Sequence, residues 1–323
     1  MLNKVVSLLK ESQNIAIYTH INIDCDAMGS SLAIREALMS LGKNVDVYAN
    51  SNFPSNFAFY GDLSFVNQKS IEGKYDLALC VDAASESRLG KYKYTYRKGV
   101  KNTVCIDHHI SNEGYCKCNY ISEASSTAEI LFDVILALGV RFTEKMCKFL
   151  LSGIITDTGR FSHSANSKTF TIVSKLIKFG KIKMEEVSEP ILQSMEMEEF
   201  KLLQRAYQKI EFYADKKLAI VMFSRKDFEE TGTTLENTDA FPDLPLQLAS
   251  VQFAILASED DQGYFRISFR SKGEISARAV AESFGGGGHL NASGCKLFGE
   301  FDEIKQKLLD SSLEILGWKK WQI

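Results

Sequence analysis

The chain has 323 residues, 45% hydrophobic and 24% charged, with a formal net charge of −3. That length suggests two domains, and that composition a soluble globular protein able to bury real cores. The charge excludes the basic excess of a protein that coats long nucleic acid, but not a small anionic substrate held in a local pocket.

Residues 2–11 read as a short amphipathic helix, and "NIAIYTH" as an apolar strand ending at His20. "AMGSSLAIREALMSLG" has helical periodicity, with Gly42 as a stop signal. "KNVDVYAN" is a second strand. "YDLALCVD" (75–82) and "NTVCID" (102–107) are near-continuous apolar runs, the pattern of parallel strands covered on both faces. The stretch "KYKYTYRKGVK" (91–101) mixes basic and aromatic residues and reads as a solvated loop. "SSTAEILFDVILALG" is a helix with capping-box spacing from Ser126 to Glu129 and a stop at Gly139. "TEKMCKFLLSGIITD" is another helix, buried toward its end. Alternating strands and helices up to about residue 180 predict an α/β fold with a doubly wound, mostly parallel sheet over residues 1–185.

Residues 186–214 are charged and helical and read as a linker. From 215 to 323 the pattern changes to strands "KLAIVMF", "SVQFAILASE" and "YFRISFRS" with helices "SARAVAESF" and "FDEIKQKLLDSSLEILG", a smaller α/β domain. Seven scattered cysteines form no CxxC pair, which argues against a zinc knuckle or disulfide scaffold and for a reducing cytoplasm. The N-terminal stretch is too polar for a signal peptide, and no run approaches the ~20 apolar residues that span a bilayer.

Four places in the first half end an apolar element with acidic or imidazole groups: His20/Asp24/Asp26, Asp82, Asp107-His108-His109, and Asp157 in "GIITDTG". In an open α/β sheet the ligand crevice lies beyond the C-terminal strand ends, where the first three fall. Taken singly, each aspartate could be a helix cap and each histidine a hydrogen-bonded core or surface group. Together, several aspartates converging without a cation would repel one another strongly. Two divalent cations supply about +4 against about −4 from four aspartates, which resolves that repulsion. Carboxylates plus imidazoles without a thiolate cluster suit Mn²⁺ first, with Mg²⁺ or Co²⁺ as substitutes. Two such ions favour phosphate-ester hydrolysis.

"HINIDCDAMGS", "CVDAASESRLG", "IDHHISN" and "IITDTGRFS" resemble the four motifs of the DHH phosphoesterase family, and "FGGGGHLNASG" (284–294) resembles the glycine-rich signature of its DHH-associated domain. Nearly the whole chain is covered, and its short length is similar to the nano-RNase A branch, the bifunctional oligoribonucleases and pAp phosphatases. The resemblance implies a first metal held by His20, Asp24 and Asp82, and a second by Asp26, Asp82, His108 and Asp157. It implies that His109 faces the scissile phosphate, that Asp107 orients an imidazole, and that Arg270, Gly287, Gly288 and His289 bind substrate. Ser30, at the start of a helix after the metal loop, and Asn112 are further expected substrate contacts.

The implied substrates are short single-stranded RNA, cut to mononucleotides, and 3′-phosphoadenosine 5′-phosphate (pAp), cut to AMP. The alternatives are a cyclic-di-AMP or pApA phosphodiesterase of the same family and a non-catalytic nucleotide sensor. Neither a membrane nor a stable protein partner is implied, and a homodimer is compatible with the pattern.

Overall fold

The computed structural model describes residues 1–50, 53, 55–67, 75–193, 195–238 and 241–319. The chain forms two compact units, Met1–Ser194 and Met195–Ile323. The stretch expected as one linker contributes a helix to each. Among the described residues, no helix is long and apolar enough to cross a membrane.

The first unit runs α1 (Leu2–Glu11), β1 (Asn14–Tyr18), α2 (Cys25–Ser40), β2 (Asn44–Tyr48), β3 (Leu77–Val81), β4 (Asn102–Asp107), β5 (Cys118–Ile121), α3 (Thr127–Leu138), α4 (Glu144–Asp157), α5 (Ser167–Gly180) and α6 (Glu185–Leu192). The five strands are parallel, in the order β2-β1-β3-β4-β5. The expected α/β architecture is present, and its two faces are covered unequally. Ile15, Ile17, Leu79, Val81 and Ile106 point into one core shared with residues of all six helices. Ala16, Tyr18, Tyr48, Cys80 and Cys105 point the other way, into a tyrosine-rich core.

That second core corrects the reading of 91–101 as a solvated loop. Tyr92 and Tyr96 are buried, and only Tyr94 of the three tyrosines is exposed, at 72%. The Tyr18 ring lies 5.5 Å from Tyr92 and 6.2 Å from Tyr96, so the run lids the strand face with rings while its cations stay in water.

Helices α2 and α4 approach closely because glycines lie at their crossing. A methyl group at Gly29 would strike the Phe149 carbonyl, and one at Gly153 would strike Asp26. The crossing brings the start of α2 beside the end of α4, where Asp26 and Asp157 stand.

The second unit runs α7 (Met197–Gln208), β6 (Glu211–Tyr213), β7 (Leu218–Phe223), α8 (Arg225–Thr231), β8 (Phe253–Glu259), β9 (Tyr264–Ser271), α9 (Ala277–Ser283), β10 (Gly287–Gly288), β11 (Ala292–Phe298) and α10 (Phe301–Ile315). Its mixed sheet has the order β10-β11-β9-β8-β7-β6, with only β7 and β8 parallel. Phe265, Ile267 and Phe269 pack with α9 and α10 on one face. Val221, Phe223 and Leu256 pack with α7 and α8 on the other. Ser276 caps α9, its hydroxyl accepting from the Ala279 N–H at 3.0 Å.

Candidate active site

Asp82 stands one residue beyond β3 in the left-handed region (φ 56°), a conformation disfavoured outside glycine and tolerated best by Asn and Asp. Its N–H donates to the Ile106 carbonyl at 3.0 Å, which fixes the turn. Strained backbone of this kind collects at functional sites. Oδ2 of Asp82 lies 3.5 Å from Nε2 of His20, and Oδ1 lies 3.7 Å from Nε2 of His108. One carboxylate therefore faces two imidazoles with different oxygens.

Each imidazole is turned by its second nitrogen. Nδ1 of His20 meets the Ile21 carbonyl at 2.5 Å, and Nδ1 of His108 meets the Ala124 carbonyl at 3.3 Å. With those nitrogens carrying the protons, both Nε2 atoms are left as ligand atoms. Asp24 caps α2, Oδ1 accepting from the Ala27 N–H at 2.9 Å, while Oδ2 lies 3.5 Å from His20. Asp157, the last residue of α4, lies 3.3 Å from Nε2 of His108.

Asp26 is buried and held by the opening turn of another helix. Its oxygens accept from the Thr127 N–H at 2.7 Å and the Ala128 N–H at 3.0 Å, the first two residues of α3. Thr127 adds a hydroxyl donated to Asp82 at 2.8 Å. Thr127 thus touches both carboxylates, a role the sequence reading did not foresee. Its signal is the "SST" that leads into the first turn of α3, where the capping spacing alone draws attention to Ser126. Ser126 does cap α3, but Glu129 accepts from the Ser125 hydroxyl instead of returning to the Ser126 N–H.

Three sets of side chains place their ligand atoms within 4.8 Å of one another: His20/Asp24/Asp82, Asp26/His108/Asp157 and Asp82/His108/His109. Asp82 and His108 each belong to two sets. Burial raises the Asp26 carboxyl well above the usual range, and the neighbouring Asp82, Asp157 and Asp24 charges raise it further. Burial likewise lifts Asp157 to about 7; His108 opposes the shift and Asp82 adds to it. Burial lowers His20, but the hydrogen bonds and charges of Asp24 and Asp82 outweigh that and raise it to about 10. Such crowding of anions fits a cationic occupant, and the oxygen and imidazole donors fit divalent ions.

A linkage follows from these shifts. Ligand carboxylates must be ionised and ligand imidazoles neutral, so the metal-free site gives up protons on binding. The raised carboxyls and the raised His20 imidazole keep those protons as pH falls, so affinity for Mn²⁺ should climb with pH through about 7, where Asp157 ionises, and on toward 10, where His20 gives up its proton. Titration calorimetry in two buffers of different ionisation heat should show proton release near pH 7; buffer-independent heats would mean that Mn²⁺ binds elsewhere.

His109 is 37% accessible, and its Nδ1 lies 2.7 Å from Oδ1 of Asp107. That hydrogen bond raises the imidazole pKa, against an opposing effect of burial. Asp107 itself is fully buried. Burial alone would raise its carboxyl, but hydrogen bonds from His109 and Asn112 leave it below the usual range.

Two expected substrate contacts point inward. The Asn112 amide donates to Asp107 at 2.6 Å and to the Ala83 carbonyl at 3.2 Å, and its oxygen accepts from the Gly114 N–H at 2.9 Å. It braces Asp107. Ser30 is buried and donates to Asp26 at 3.3 Å. The physical reason is that α2 starts at Cys25, capped by Asp24, so Ser30 lies more than a turn inside the helix. Cys25, between two of the acids, is buried, and burial pushes its thiol up to about 12, which suits packing and not a thiolate ligand.

In the second unit, an open pocket of about 470 Å³ is lined by Arg266, Ser268, Arg270, Gly287, Gly288 and Gly294 among others. Gly288 has φ 145°, and a methyl group there would strike Ala292 and Ser293. His289 is exposed beside these glycines, its N–H donating to the Ala292 carbonyl at 2.8 Å. Arg270 lies 3.6 Å from Asp243, and Arg266 donates to the Leu235 carbonyl and the Thr238 hydroxyl at 2.8 and 2.9 Å. Both arginines border the pocket.

Comparison with known proteins gives two matches to domain models: "DHH family, N-terminal domain" over residues 14–154 and "DHHA1 domain" over residues 215–314. A Streptococcus mutans protein named probable bifunctional oligoribonuclease and PAP phosphatase NrnA is 28% identical over 310 residues, covering 94% of this chain and 96% of its own. The bifunctional oligoribonuclease and PAP phosphatase NrnA of Thermus thermophilus is 28% identical over 319 residues, covering 97% and 93%. A solved exopolyphosphatase-related protein from Bacteroides fragilis has a TM-score of 0.90 at 25% identity, covering 97% of this chain and 95% of its own.

Proposed function

Because this chain belongs to the DHH phosphoesterase family, joining a DHH domain to a DHHA1 domain, we propose that it hydrolyses short oligoribonucleotides to mononucleotides and pAp to AMP. The observation that carries the reading is the placement of Asp82 between two sets of metal-type ligands.

On this reading His20, Asp24 and Asp82 hold one divalent ion, and Asp26, His108 and Asp157, joined by Asp82 where it faces His108, hold the second. Mn²⁺ is the best match to four carboxylates and two imidazoles. When bound, the pair supplies Lewis acidity that activates water and clamps a phosphoryl group. The chain's own residues do the rest. Thr127 and the first turn of α3 fix the orientation of Asp26 and Asp82. Asp107 holds Nδ1 of His109, which leaves Nε2 to donate a proton to the leaving oxygen. Arg270 and the amides around Gly287 and Gly288 bind a nucleotide phosphate, with His289 beside them. The free cysteines suit a reducing cytoplasm.

A substrate panel with added Mn²⁺ tests this: pAp, pApA, cyclic-di-AMP, five-nucleotide RNA and pyrophosphate. Rapid release of AMP from pAp and of mononucleotides from the RNA is expected. Fast cyclic-di-AMP or pApA turnover with slow pAp turnover would overturn the substrate assignment. Tight Mn²⁺ binding with no turnover of any of the five would overturn the enzyme.

A further inference from the structure

The outer face of β9 and β11 carries an ordered row of side chains of which the reading above uses only Arg270. By strand register Arg270 pairs with Ala292, Ser268 with Gly294, Arg266 with Lys296, and Tyr264 with Phe298. Alternation puts these eight on one face, opposite Phe265, Ile267 and Phe269 in the core. The row begins in the pocket of Arg270, Gly287 and Gly288. It ends, six residues along β9 and so about 20 Å away, at an exposed aromatic pair. Phe298 is 68% and Tyr264 38% accessible, their ring centroids 5.0 Å apart. Nζ of Lys296 lies 4.6 Å over the Tyr264 ring and 2.8 Å from Asp260.

Two exposed rings beside a lysine, continuous with a candidate phosphate pocket, have the make-up of a single-strand stacking platform. Small residues, Ser268 and Gly294, keep the middle of the row low, so a backbone could pass. We propose that this strip is a second subsite of the DHHA1 domain: it takes the distal base of an oligoribonucleotide, stacked on Phe298 and Tyr264, when the terminal phosphate sits at Arg270. This rests on the oligoribonuclease reading and sharpens it, because the strip would favour chains long enough to span it over dinucleotides and pAp. Asp260 already offsets the Lys296 charge, so stacking carries most of the added affinity.

The test is fluorescence anisotropy on the full chain in EDTA, with end-labelled two- and five-nucleotide RNA, for wild type and Tyr264→Ala/Phe298→Ala. Wild type should hold the pentanucleotide more tightly. The double variant should weaken pentanucleotide binding about tenfold or more, change the dinucleotide far less, and keep this difference in raised salt. Phe298→Trp should restore pentanucleotide affinity, and matched thermal midpoints check the fold. An unchanged pentanucleotide Kd, equal loss for both lengths, or a wild type without length preference would each overturn the strip. Length-dependent binding without any RNA hydrolysis would instead overturn the hydrolase reading and leave the strip standing.

Discussion

Replacing Asp82 should abolish metal retention and activity together. The prediction follows from geometry: its two oxygens face the His20 and His108 imidazoles, so a single substitution removes a donor from both ligand sets. Asp82→Ala is expected to bind less than one Mn²⁺ per chain by elemental analysis and to lose activity by about a thousandfold or more, roughly 4 kcal/mol of barrier. Asp82→Asn is the companion variant, since asparagine tolerates the left-handed backbone that alanine does not. It should fold as well as wild type without metal, because one fewer anion then crowds Asp26 and Asp157. What it should lose is the rise in thermal midpoint on adding Mn²⁺; saturation at 100 times Kd stabilises wild type by about 2.7 kcal/mol. Full metal content in Asp82→Asn would contradict the shared-ligand arrangement.

The acids and imidazoles of this site were legible in the sequence because each closes a locally recognisable element. His20 follows β1, Asp82 follows β3, Asp107 ends β4 and Asp157 ends α4. Side-chain direction was not legible. Asn112 and Ser30 occupy the expected neighbourhood but spend their hydrogen bonds on Asp107 and Asp26. Thr127 was hidden for a related reason: its work depends on α3 docking its N-terminus against a helix a hundred residues earlier in the chain. Tertiary packing also reversed the reading of 91–101, where alternation of Tyr with Lys and Thr looks solvated until a strand face needs covering. In the second unit β11 was missed because Gly294, Cys295 and Lys296 have little strand propensity of their own. It forms through seven paired positions with β9. The glycine-rich signature is therefore half of a strand pair as well as the proposed ligand loop.

On the proposed reading the aspartates, His20 and His108 would hold the metals, which leaves the leaving group's charge to His109. Its Nδ1 is committed to Asp107 at 2.7 Å, yet it also lies 3.7 Å from Oδ1 of Asp82, so the position allows a proton donor or a metal ligand. The two roles give different outcomes. As proton donor, His109→Ala should keep two Mn²⁺ per chain and lose kcat by about 10²- to 10⁴-fold; loss of metal in parallel would make it a ligand. Asp107→Asn adds a pH readout. The Asp107 hydrogen bond is the largest influence raising the imidazole pKa, so a neutral amide should lower it. An acid works only while protonated, and its rate falls as pH rises through its pKa. The alkaline limb of kcat should therefore move to lower pH in Asp107→Asn, with the deficit against wild type widening from pH 6 to pH 9. A uniform loss at every pH would instead mean that Asp107 serves only to hold the ring in place.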